Sequence, residues 1–264
     1  AGQAPEAWVF EHPDRIVAAH RAYVEAGSDI IHAVTFGGSP PKLATAGLEA
    51  RCREVNVAAV ELARKACGPD TLVAGDVGPT GKFLPPIGTA TEADFYSAFS
   101  EQCAALKDAG ADLISIETMV DLREALAAVR AAAATGLPVL ASMTFEAKKR
   151  GNFTIMGDRL VHSLKAMAEA GADVVGLNCS VTSAEMVPMV AEAVAGQNSP
   201  VVAQPNAGQP RMTTEGVVYD ASAERFVNDL MEMVTTGARV VGGCCGTDPS
   251  FLALARAALD AAEC

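Results

Sequence analysis

One pattern constrains this chain more than any other. A glycine, a polar or acidic residue and a short β-branched run recur in "AGSDIIHAVTFGG", "AGADLISIETM", "AGADVVGLNCS" and "TGARVVGGCCG". The glycine can end a helix, and the run reads as a strand candidate; between the runs lie alanine-rich amphipathic segments such as "DRIVAAHRAYVEA" and "DLREALAAVRAAAA". With "TLVAGDVGPTG", "LPVLASMTF" and "SPVVAQPNAG" there are seven strand candidates, near 29–36, 71–77, 111–118, 138–145, 172–179, 200–205 and 238–243. None alternates cleanly between apolar and polar, as expected of strands buried on both faces of a parallel sheet.

Strand and helix alternating throughout allow a closed (β/α)8 barrel or an open doubly wound sheet. The barrel is favoured, as one domain over 1–264. An eighth strand would fall before "EHPDRIVAAHRAY", where the opening "AGQAPEAWVF" reads as a loop. The glycines of "GDVGPTGKF" have the wrong spacing for a dinucleotide fingerprint.

Twenty basic against 32 acidic residues leave a net charge of −12, which argues against a nucleic-acid partner. No apolar run reaches the roughly 18 residues of a membrane span, and no charged-then-apolar leader opens the chain. The seven cysteines lack a disulfide framework's regular spacing, so free thiols in a reducing cytoplasm are expected.

Cys244 and Cys245 are adjacent at the end of the last strand candidate, and Cys179 holds the corresponding position in "GLNCS". Polar residues at strand carboxyl ends meet on one rim in either architecture, so three thiolates can face one point. Adjacent cysteines reach one tetrahedral ion only if the backbone turns between them, which Gly242, Gly243 and Gly246 permit. The alternatives are a vicinal disulfide and two packed apolar thiols. Three thiolates with a fourth position open describe a catalytic zinc, and a substrate thiol entering that position would arrive as a thiolate. Alkyl transfer to sulfur is then the reaction class.

Cys52, Cys67 and Cys103 read as small helix fillers, and Cys264 ends the chain. His12, His20 and His162 are set aside as ligands, and His32, inside a strand, is read as packed.

At "GLNCS" and "GGCCGTDP", with "VTFGGSPPKL", "GPTGK", "IET", "MTF" and "PNAGQP" in order, the chain resembles the homocysteine S-methyltransferase family. That family includes betaine-homocysteine methyltransferase and the homocysteine-binding module of cobalamin-dependent methionine synthase. The resemblance runs over essentially the whole chain. It implies a (β/α)8 barrel, zinc held by Cys179, Cys244 and Cys245, and methyl transfer to the thiolate of homocysteine to form methionine. It further implies that Glu117 binds the amino group, that Thr35 and Phe36 line the amino-acid pocket, and that Asn206 stands beside the metal at its open position. For these four the alternatives are a strand-end ion pair and loop hydrogen bonding.

Two departures stand out. Family members begin with a strand and an aspartate–glycine turn, and no such segment precedes Gln3, so either residues lie upstream of Ala1 or the barrel closes differently. In "FEAKKRGNFTIMGD", Phe153, Ile155 and Met156 bring bulky groups to the loop after 138–145 and could reshape the acceptor pocket. The methyl donor is either a free small molecule or a separate corrinoid protein. The alternative function is a corrinoid-dependent component moving methyl between a small methylated compound and that protein; a third reading is a zinc or thiol store without catalysis. Self-association into a homo-oligomer stays open.

Overall fold

Each glycine-led run folds as a strand in the computed structural model, which describes residues 4–214 and 216–262. Cys264 and residues 1–3 of the opening segment lie outside them. The strands are β1 (Ile30–His32), β2 (Leu72–Val77), β3 (Leu113–Met119), β4 (Val139–Met143), β5 (Glu146–Lys148), β6 (Gly151–Phe153), β7 (Val174–Thr182), β8 (Val201–Asn206), β9 (Pro210–Thr213), β10 (Gly216–Tyr219) and β11 (Ala238–Val241). The α-helices are α1 (Trp8–Glu11), α2 (Pro13–Glu25), α3 (Pro40–Leu43), α4 (Cys52–Ala66), α5 (Glu92–Asp108), α6 (Leu122–Ala133), α7 (Leu160–Glu169), α8 (Ser183–Gly196), α9 (Ala223–Thr236) and α10 (Pro249–Ala262).

Seven strands form one curled sheet in the order β1-β2-β3-β4-β7-β8-β11, every neighbouring pair parallel. Sequential neighbours joined by helices are the arrangement of a (β/α)8 barrel, of which the described residues supply seven strands. The outer strands β1 and β11 are not paired with each other among the described residues. Outside them the helical layer does meet: Tyr23 of α2 donates to the Thr247 carbonyl at 3.1 Å, and Arg256 of α10 packs over Gly27.

The sheet's two faces carry different contents. Ile31, Val73, Ile114, Val139, Val175 and Val201 join the main core under the helices. Their neighbours Ile30, Ala74, Leu113, Leu140, Val174, Val202 and Val240, one from each strand of the sheet, make a separate apolar layer inside the barrel. Since side chains repeat every two residues, the next interior layer is His32, Asp76, Ser115, Ser142, Gly176, Gln204 and Gly242. The barrel interior therefore turns from hydrocarbon to polar groups and bare backbone toward the strands' carboxyl ends.

Two expectations need correcting. The opening segment is not a loop: Pro5–Ala7 is a 3-10 turn that runs into α1, and buried Glu6 accepts the Gly37 backbone N–H at 2.6 Å. The loop after β4 is not irregular: β5 and β6 form an antiparallel hairpin. A second hairpin, β9–β10, follows β8. Neither hairpin alternates in a way that marks it in the sequence. No helix is long and apolar enough to cross a membrane among the described residues.

Candidate active site

Where β3 and β7 end, their backbones leave regular geometry. Thr118, Cys179 and Ser180 take φ near 60°, a left-handed conformation that non-glycine residues hold only when neighbours enforce it. The strand pairings slip at the same places, between Ile116 and Met119 and between Asn178 and Thr182. This twist, followed by a Thr182–Glu185 capping box that starts α8, sets the direction of Cys179.

On the far side, β11 ends in the glycines that precede Cys244. The ligand loop is tied to β8 by three hydrogen bonds. Cys244 N donates to the Pro205 carbonyl at 2.9 Å, Ala207 N to the Cys245 carbonyl at 2.9 Å, and Cys245 N to Asn206 Oδ1 at 3.1 Å. Gly246 has φ +83°, and a Cβ there would lie 2.2 Å from the Tyr219 ring, so only glycine lets the turn pass under the β10 end.

The result is a convergence of three sulfurs. The Cys179, Cys244 and Cys245 Sγ atoms all lie within 4.8 Å of one another, with Cys179 and Cys245 3.8 Å apart. Sulfurs around tetrahedral zinc, at about 2.3 Å from the ion, are separated by about 3.8 Å, so the donor set and its spacing fit such an ion. Hydrogen bonds from Cys179 and then Cys244 hold Cys245 far below the usual thiol range, while bonding to Cys179 and Cys245 drives Cys244 far above it. Cys52, Cys67 and Cys103 stand apart, in or at the end of α4 and α5, and are free.

Beside the sulfurs sits Glu117, and one residue joins them. Asn178, fully buried, accepts from Thr118 N and Ser142 Oγ, both at 2.8 Å, and donates to Glu117 Oε2 at 2.7 Å. Its amide also points to Cys244 Sγ at 3.9 Å. The other Glu117 oxygen faces His32 Nδ1 at 3.4 Å. Burial pushes Glu117 up, but hydrogen bonds from His32, Asp76 and Thr118 outweigh it and hold the carboxyl below the usual range. Asp76 goes the other way, raised first by burial and then by the Glu117 charge.

The remaining sequence candidates are distributed around this centre. Thr35 is fully buried, and its Oγ1 both donates to the Asp76 carbonyl and accepts from Asp76 N, each at 2.8 Å; it braces β2 from below. Phe36 lays its ring against Gly78, where a Cβ would stand 2.4 Å away. Asn206 supports the Cys245 amide. Phe153, Ile155 and Met156 lie on or after the β5–β6 hairpin, with Ile155 largely exposed. Reading His32 as a packed strand residue overlooked its part in the carboxylate cluster, and Asn178 and Asp76 were passed over. Asn178 was visible in "GLNCS", but only the cysteine beside it has a side chain whose chemistry declares itself.

The family described as homocysteine S-methyltransferase matches residues 3–259. Methionine synthase of Mycobacterium tuberculosis (strain ATCC 25618 / H37Rv) is 32% identical over 253 residues, and that of Mycobacterium leprae (strain TN) 30% over 253. Each alignment covers 91% of this chain and 21% of the relative, so the chain spans about a fifth of the length of these relatives. Among solved structures, the homocysteine methyltransferase MmuM from Escherichia coli in its metallated form superposes with TM-score 0.81 and 25% identity, covering 96% of this chain and 88% of that one. Its oxidized form gives 0.80 and 25%, covering 96% and 87%.

Proposed function

The chain belongs to the homocysteine S-methyltransferase family, and from that premise we propose that it transfers a methyl group to the thiolate of homocysteine, forming methionine. The observation that carries this reading is the meeting of three sulfurs with a buried carboxylate, linked through Asn178.

Cys179, Cys244 and Cys245 would hold zinc, which when bound supplies a positive charge that keeps the acceptor sulfur deprotonated at neutral pH. The rest of the task falls to the chain. Glu117, held ionised by His32, Asp76 and Thr118, faces the acceptor's ammonium and so fixes one end of the molecule. Asn178 fixes the distance between that carboxylate and the sulfurs. Asn206 accepts from the Cys245 amide, which would keep the shape of the loop that holds the metal. Thr35 and Phe36 support the pocket through β2 rather than through an exposed polar contact. The methyl group passes from donor to sulfur, the new C–S bond taking the sulfur lone pair as the donor's bond to methyl breaks.

Zinc content and activity test this together. Protein purified without chelator should carry about one zinc per chain, and Cys179→Ala, Cys244→Ala and Cys245→Ala should each lose most of it. The assay presents homocysteine with a small methylated donor and, separately, with a methylated corrinoid protein. Methionine from neither, in zinc-loaded protein, would sink the proposal.

A further inference from the structure

Each sulfur of the cluster is met by a donor from outside it. Cys179 accepts from the Ser180 backbone N–H, and Cys244 faces the Asn178 amide at 3.9 Å. Cys245 accepts from its own backbone N–H and from the phenol of Tyr219. The three do not need this help equally. Cys179 and Cys244 are half-buried, whereas Cys245 is exposed at the rim. Thiolate sulfur is at once a metal ligand and a nucleophile, so a methyl donor brought to the cluster meets Cys245 as well as the acceptor. Attack by Cys245 Sγ would form a C–S bond from its own lone pair while the donor's bond to methyl breaks and that electron pair leaves with the donor. The product, an S-methylcysteine, is a spoiled ligand.

The protein holds Tyr219 where it bears on that one sulfur. Tyr219 ends β10, opposite Pro210 of β9. Backbone bonds tie the base of this hairpin to the ligand loop in series: Ala221 N donates to the Ala207 carbonyl at 3.0 Å, and Ala207 N to the Cys245 carbonyl at 2.9 Å. On the other side the ring lies against Gly246, where a Cβ would stand 2.2 Å from its Cγ and 2.5 Å from its Cδ2. The rest of β9 and β10 is exposed, and Tyr219 is the one residue of the two strands that is partly covered. What this hairpin buries is therefore the ring beside Cys245.

We propose that Tyr219 determines which sulfur receives the methyl group: its phenol donates to Cys245 Sγ and so keeps the most exposed of the three cysteines from taking the methyl in the acceptor's place. This rests on the reading of the chain as a methyltransferase and adds which ligand needs protection and what protects it. A hydrogen bond to a thiolate stabilises its negative charge and lowers the energy of the lone pair that would attack, without displacing the sulfur from a metal. Tyr219 acts through Cys245 and touches neither acceptor nor donor.

Methyl iodide, a donor that needs no second protein, tests this on the full chain loaded with zinc and without homocysteine, methylation at each cysteine being read by peptide mass spectrometry. In the wild type Cys245, although exposed, should react no faster than half-buried Cys179; this comparison needs no variant to fold. Tyr219→Phe keeps the ring on Gly246 and removes the hydroxyl alone. It should speed methylation of Cys245 by about tenfold and leave Cys179, Cys244 and the zinc content unchanged. A wild-type Cys245 that reacts faster than Cys179, or equal Cys245 rates in the two proteins, would overturn the proposal. So would a rise shared by all three cysteines or accompanied by zinc loss, because either marks a loosened cluster. Selective protection of Cys245 in a chain that makes no methionine would uphold the role of Tyr219 at this sulfur while removing the methyl-transfer reading.

Discussion

Asn178 uses every hydrogen-bonding site of its carboxamide, and its partners lie on β3 and β4. Replacing it with leucine keeps the volume but leaves the Thr118 N–H unmatched, and it reduces Ser142 Oγ and Glu117 Oε2 to their longer bonds, to the Ile116 carbonyl at 3.4 Å and from Thr118 Oγ1 at 3.2 Å. Unmade bonds of this kind cost about 1–3 kcal/mol each before relaxation, so Asn178→Leu should lower stability by roughly 3 kcal/mol. For a chain of this size that is a fall in Tm of about 6–12 °C, and the KM for the acceptor thiol should rise with it. A variant within about 1 kcal/mol of wild type in thermal unfolding would show that the strained Thr118 and Cys179 backbones are held by something else. Asn206→Ala removes only the bond to the Cys245 amide. It should cost about 1 kcal/mol and speed zinc loss to a chelator, leaving the fold intact.

At the scale of elements, the site depends on how β7 turns into α8. Thr182 accepts from Glu185 N, while Glu185 accepts from Thr182 N at 2.9 Å, closing a capping box three residues after Cys179. Thr182→Ala should remove about 1 kcal/mol, seen as a lower urea midpoint, and fray the helix start that follows the ligand. Within β7 itself, Gly176 is there because β8 passes close by. A Cβ at that position would be 1.9 Å from the Val202 carbonyl oxygen. Backbone cannot give way as a side-chain end can, so Gly176→Ala should yield little folded protein in the soluble fraction; near-normal yield and Tm would contradict the β7–β8 approach.

The described residues form helices around a sheet whose outer strands are not paired with each other, and His20 sits between those strands. It lines the cavity between β1 and β11, buried, with Nε2 unpartnered. Burial first, and the nearby His32 second, lower its pKa from 6.5 to about 4. A folded pKa below the unfolded one means the unfolded chain binds the extra proton, so this contribution to stability is present above pH 6.5 and is lost as pH falls toward 4. The shift corresponds to about 3 kcal/mol. Unfolding in urea across pH 4–7 should therefore show a shallower acid slope in His20→Leu than in wild type, and identical slopes would mean His20 is not desolvated.

Much of the fold was legible because the sheet's pattern is local. Glycine can end a helix and β-branched residues favour strands wherever they stand, so the seven sheet strands could be counted along the chain, and the alternation with helices carried the architecture. The three cysteines were legible for a related reason: in parallel α/β folds the strand carboxyl ends share one edge, so thiols at those ends can be expected to meet. What only the tertiary structure decided is depth and facing. Glu6 makes a helix of the opening segment because a distant amide, Gly37 N, needs its carboxylate. Asp76 and His32 belong to the site because β1, β2 and β3 stack their second interior layer there, and a side chain's partner across a barrel leaves no trace in its own neighbours along the chain. Local sterics propagate over a few residues; electrostatics and packing act through space, and the curl of the sheet chose which residues that space would join.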